Sequence, residues 1–63
     1  DDTDVLEAAV RKVIDGNQNA VDNYRDGKTG ILGFLVGQVM RETRGKANPR
    51  VVSELLKTAL KSS

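Results

Sequence analysis

The 63-residue sequence has no cysteine, no histidine and no tryptophan, and a single proline, Pro49. Without cysteine there is no disulfide framework and no thiolate chemistry. Without histidine as well, the usual zinc sites and imidazole acid–base catalysis are excluded. No apolar run approaches the ~20 residues needed to span a bilayer, and no signal peptide is visible. The expectation is a cytoplasmic chain without a membrane partner. The opening Asp1-Asp2-Thr3-Asp4 carries no initiator Met, which gives the further expectation of one domain, 1–63, cut from a larger subunit. A core of this size supplies only ~3–5 kcal/mol of net stability, leaving little room for a buried active site.

The composition, 38% hydrophobic and 30% charged, suits a folded unit rather than a disordered tail. The net charge of +1 conceals a division. Residues 1–27 hold seven acids against three Lys or Arg, a balance of −4, while residues 28–63 hold seven Lys or Arg against two acids, a balance of +5. Such an asymmetry either marks a half that faces a polyanion, nucleic acid above all, or is only a polarised surface.

Apolar spacing predicts an all-α bundle of three to four short helices, at about 4–15, 18–26, 29–43 and 49–61. In the first, Val5, Leu6, Ala9, Val10, Val13 and Ile14 draw one stripe. Asp4 with Glu7 resembles a capping box, and Gly16 is expected to end the helix in a left-handed cap. Asn17 is the expected N-cap of the second helix, where Ala20, Val21 and Tyr24 share a face. The third helix is unusual for its interior glycines, each costing about 0.5–1 kcal/mol relative to Ala. Its apolar positions Leu32, Leu35, Val36, Val39 and Met40 nevertheless follow the helical period rather than strand alternation. Asn48-Pro49 then forms a start signal, Asn as N-cap and Pro at the first helical position. Val51, Val52, Leu55, Leu56, Ala59 and Leu60 complete the last stripe.

At about 100° per residue the apolar positions of the third helix centre near about 270° from Gly33, while Gly30, Gly33, Gly37, Arg41 and Arg44 fall between zero and about 80°. Three glycines and two arginines therefore share a strip away from the core. It permits either close approach of a sugar–phosphate backbone, with arginine pairing to phosphate, or a tight helix crossing. Ile31 and Phe34 lie outside the main apolar face, so a second covered side is expected. Arg41, Arg44, Lys46 and Arg50 surround the turn into the last helix, whose free N–H groups would add to an anion site. With Tyr24 and Phe34 the only aromatics, a ring platform for stacked bases is not expected, and RNA would be read by shape and backbone.

Catalytic constellations are lacking. Asp22 and Asp26 at i, i+4 read as a charged surface. Ser53, Ser62 and Ser63 have no histidine partner, and Lys28 has no evident pocket. The glycine spacing matches neither a Walker loop nor a dinucleotide fingerprint.

The run Lys28-Thr29-Gly30-Ile31-Leu32-Gly33-Phe34-Leu35-Val36-Gly37-Gln38-Val39-Met40, followed by Gly45-Lys46-Ala47-Asn48-Pro49 and a Leu-rich helix, resembles the C-terminal tail domain of the B subunit of tRNA-dependent aspartyl/glutamyl amidotransferases. The same module occurs in small YqeY-like proteins. Ala20-Val21-Asp22-Asn23-Tyr24-Arg25-Asp26-Gly27 upstream fits too, so the resemblance covers nearly the whole chain. It implies a parent complex that converts Glu-tRNA(Gln) or Asp-tRNA(Asn) to Gln-tRNA(Gln) or Asn-tRNA(Asn), using ATP and magnesium bound elsewhere in the subunit. For this chain it implies no cofactor, metal or catalytic residue, with tRNA and the other subunits as partners. It marks Gly33, Gly37, Gln38, Arg41, Lys46 and Arg50 as candidate tRNA contacts, to which the charge cluster adds Arg44. Gly30 departs from the family pattern, where a larger, often polar residue is expected, and loosens the start of the third helix. The competing reading is a protein-docking module, or a free-standing YqeY-like protein, without RNA contact.

Overall fold

A computed structural model describes residues 2–61; Asp1, Ser62 and Ser63 lie outside the described residues. Four helices and no strand are present among them: α1 Asp2–Gly16, α2 Gln18–Arg25, α3 Ile31–Glu42 and α4 Pro49–Lys61. The all-α bundle expected from the apolar periods is the fold. The stripes meet in one core made of Ala9, Val10 and Val13 of α1, Val21 of α2, Leu35 and Val39 of α3, and Val52, Leu56 and Leu60 of α4. Leu32, Val36 and Met40 pack around it. α3 touches each of the other three helices, and α1 also packs on α4. The radius of gyration, 10.6 Å, matches the ~10.6 Å of a well-packed chain of this length.

The helix ends differ from the sequence expectation in ways that local chemistry explains. α1 begins at Asp2, so Asp4 sits inside its first turn rather than at the N-cap. Acids at this end still oppose the helix dipole favourably. Gly16 is the last residue of α1 and has no positive φ. The closure comes from the amides beyond it. Asn17 Nδ2 donates to Val13 O (2.8 Å) and Gln18 Nε2 to Ile14 O (2.8 Å), which also accepts from Asn17 N–H (3.2 Å), so side chains and backbone together satisfy the last carbonyls of the helix. Asn17 precedes α2 but makes no side-chain cap to it; its amide is spent on α1 instead.

α2 ends in a Schellman turn. Lys28 N–H donates to Asn23 O and Gly27 N–H to Tyr24 O, both 3.0 Å, with Gly27 at φ 101°. α3 starts at Ile31, two residues later than the apolar period implies, and Gly30 is its N-cap residue. Contacts of the i+3 type, from Ile31 to Lys28 and from Leu32 to Thr29, wind the chain into it. The last helix begins as expected: Asn48 Oδ1 accepts from Arg50 N–H at 2.9 Å, with Pro49 between them.

Leu56 has no solvent exposure and sits where α4 meets the shared core. Leu56→Ala should remove about 2–5 kcal/mol, comparable to all the net stability a core this small supplies. Urea titration followed by circular dichroism should show the variant largely unfolded without denaturant.

Candidate nucleic-acid interface

One face of α3 belongs to the core and the other is bare. Gly33 and Gly37 are exposed, and a Cβ added at either would meet nothing within 4 Å. No described part of the chain crosses the strip, so tight packing within the chain does not explain the glycines. Nor is the side that carries Ile31 and Phe34 fully covered, in contrast to the second covered side expected from the sequence. Phe34 is 46% exposed and Ile31 half-buried, because the bundle has no fifth element to cover them. Arg41 lies exposed on the last turn of α3, on the same face as Gly33 and Gly37. Gln38 flanks that face, half-buried and with no side-chain hydrogen bond among the described residues.

Arg44 leaves this strip. α3 stops at Glu42, where Thr43 Oγ1 donates to Val39 O (3.0 Å) and Met40 O (3.3 Å). The end is again a Schellman turn, with Gly45 N–H on Met40 O (2.8 Å) and Arg44 N–H on Arg41 O (3.1 Å). Arg44 thus occupies the position where glycine is usual, with φ 56°, followed by Gly45 at φ 74°. The helical count fails for Arg44 because the helix has already ended. A left-handed conformation costs a side chain roughly 1–2 kcal/mol, and a strained residue in an exposed turn points to a task for that side chain. Arg44 and Lys46 border a groove of about 730 Å³ between the turn and the first half of α1, separate from the glycine strip. Arg50 stands exposed on the first turn of α4.

Two features set the electrostatics. Glu42, the one acid in the cluster, is held at 2.7 Å by Lys12 of α1, so the cluster's negative charge is neutralised from outside it. Arg41, Arg44, Lys46 and Arg50 have no carboxylate partner among the described residues. Their charge is thus open to solvent over one turn and two helix ends. The expected anion cradle at the start of α4 is reduced, because Pro49 has no N–H and those of Arg50 and Val52 are already taken by Asn48.

A family model, the GatB domain, matches residues 1–60. The chain belongs to the GatB domain family. Related over nearly its whole length are the aspartyl/glutamyl-tRNA(Asn/Gln) amidotransferase B subunits of Lactobacillus acidophilus (52% identical, 97% of this chain and 13% of the relative) and Pseudothermotoga lettingae (52%, 94% and 12%). That of Carboxydothermus hydrogenoformans is 58% identical over 87% of this chain and 11% of its own length. This GatB domain chain therefore spans about an eighth of the curated relatives it matches. No solved structure matches it.

The open strip and the strained turn give two stability predictions. Gly37→Ala fills empty space within a helix and should raise stability by about 0.5–1 kcal/mol. Arg44→Gly relieves a left-handed side chain and should raise it by up to about 1 kcal/mol. Both are checked by urea midpoints. Unchanged or lowered stability in either would mean that the side chain or the space is held by contacts the bundle does not show.

Proposed function

We propose that the chain is a non-catalytic tRNA-binding module of an amidotransferase B subunit. In such a complex it would hold Glu-tRNA(Gln) or Asp-tRNA(Asn) while amidation, an ATP-dependent carbon–nitrogen ligation, proceeds on other domains. The observation that carries this reading is the unpaired cation set Arg41, Arg44, Lys46 and Arg50, with Arg44 kept in a strained conformation that glycine would relieve. Guanidinium groups pair with phosphate in two-point fashion, and the bare Gly33–Gly37 face lets a backbone approach α3 closely. The relatives, named as amidotransferase subunits for tRNA(Asn/Gln), supply the kind of RNA. No helix among the described residues is long and apolar enough to cross a membrane, and the module is read as working in the cytoplasm.

Fluorescence anisotropy with a tRNA(Gln) transcript across a salt series tests the reading. Each phosphate neutralised releases counterions, so affinity should fall steeply with salt. Arg41→Ala with Arg44→Ala should reduce the slope of log affinity against log salt by about two. Salt-insensitive binding, or a slope unchanged in the double variant, would remove the phosphate mechanism.

The docking alternative has its own support in the groove beside α1, where Val5 is 66% and Val51 44% exposed. Arg44 and Lys46 border that groove as well, so a protein docked there would compete with phosphate for those two cations and leave Gly33, Gly37 and Arg41 for RNA contact along α3.

A further inference from the structure

Beside the glycine strip lies a second depression, with a volume of about 370 Å³, between the α1–α2 junction and α3. That is near the lower end of the range for small-ligand sites, about 300–1,000 Å³. Its lining contains no charged side chain. Four carboxamides, Asn17, Gln18, Asn19 and Asn23, form one wall, and Ile31 and Phe34 form the other. The amides are not all equivalent. Asn17 and Gln18 donate from their nitrogens to the last carbonyls of α1, which leaves their oxygens as acceptors. The side-chain amides of Asn19 and Asn23 have no hydrogen bond among the described residues and retain both donor and acceptor. Phe34, 46% exposed, is the most accessible large apolar side chain outside the α1–α4 groove.

We propose that this notch takes one unpaired nucleobase, its ring against Phe34 and its edge on the amides of Asn19, Asn23, Asn17 and Gln18. The inference rests on the tRNA-binding reading and deepens it. A flat aromatic group with several donors and acceptors on its rim and no charge matches this lining. A phosphate does not, because the site has no cation and the negative carbonyl end of α1 there opposes the positive amino end of the short α2. The acceptor oxygens of Asn17 and Gln18 favour a base that carries an amino group. The neighbouring strip then accounts for the rest of the nucleotide chain. Gly30 and Gly37 adjoin Phe34 on the helix surface, and Arg41 stands two turns away on the same face, about 10 Å along the axis. The backbone would run over the glycines toward Arg41 while the base turns into the notch. Unpaired loop nucleotides offer their edges and faces in this way, whereas bases inside an A-form helix do not.

The test uses the whole chain, a tRNA(Gln) transcript, and anisotropy over a salt series, with circular dichroism confirming each fold. Phe34→Leu should weaken binding about tenfold through lost stacking, with no change in salt slope, since no phosphate contact is removed. Phe34→Tyr should restore affinity to within about twofold, because the ring face is kept. Asn19→Ala with Asn23→Ala should also weaken binding at constant slope. Wild-type affinity in the Leu and double-Ala variants would overturn the base site while leaving the phosphate reading in place. A changed slope in Phe34→Leu would assign Phe34 to positioning Arg41 and overturn it likewise. Unaltered tRNA affinity together with weakened association with the rest of a B subunit would make the notch a protein contact. Failure of the unaltered chain to bind tRNA at low salt would remove both readings together.

Discussion

The fold depends on one burial, that of Leu35 and Val39 of α3, both without solvent exposure. α3 touches all three other helices and packs most heavily on α4 and α1, so its inner face is the common surface on which α1, α2 and α4 close. An isolated helix of twelve residues is marginal in water, and two glycines within α3 make it weaker still. The helix exists because its neighbours hold it. Its inner face must therefore remain strictly apolar, while its outer face contributes almost nothing to the core. Those outer positions can be given to glycine, Phe34 and Arg41 at a limited cost in stability.

That division of labour explains where strain and open space are found. The glycines of the strip are not enforced by packing, since added Cβ atoms would be free of contact. The left-handed Arg44 is not enforced by the turn, since a Schellman turn is satisfied more easily by glycine. Both choices work slightly against stability in a chain with only a few kcal/mol in hand. Choices of this kind are expected where a surface has to meet something else. The Lys12–Glu42 pair has the complementary effect: weak as a surface bridge, about 0–1 kcal/mol, it removes the one negative charge that would oppose an anion at the end of α3.

Much of this was legible in the sequence, and the failures have a common origin. Apolar periods located all four helices because burial of a stripe is a property of the whole segment. The Asn48-Pro49 start was legible because the cap bond spans only two residues. Asn17 is the N-cap residue of α2 as expected, but its amide had two helix ends within reach, and sequence does not say that it would bond Val13 O of α1 instead. Arg44 was misplaced because an angular count assumes that the helix continues, while the Thr43 hydroxyl and the Gly45 backbone end it. The exposure of Phe34 was missed for a different reason. Its angle on α3 was readable, but only the arrangement of α1 and α2 shows that nothing covers that side and that four amides face it.

The placement of charge then separates two kinds of recognition. Cations are gathered at the α3–α4 turn, whereas the lining of the Phe34 notch is uncharged throughout. Contacts to phosphate position a nucleic acid without reading it, and contacts to base edges and faces do the reading. A chain with a single exposed aromatic side chain cannot stack a run of bases, so under the proposed tRNA-binding reading discrimination would come from one base at a defined distance from the phosphate contacts. α3 supplies that distance. Because Phe34 and Arg41 are seven residues apart on one rigid helix, the spacing between base and phosphate sites is set by the helix rise. On the proposed reading, an RNA loop of another shape would satisfy one site and miss the other, and the helix would act as a gauge of loop geometry.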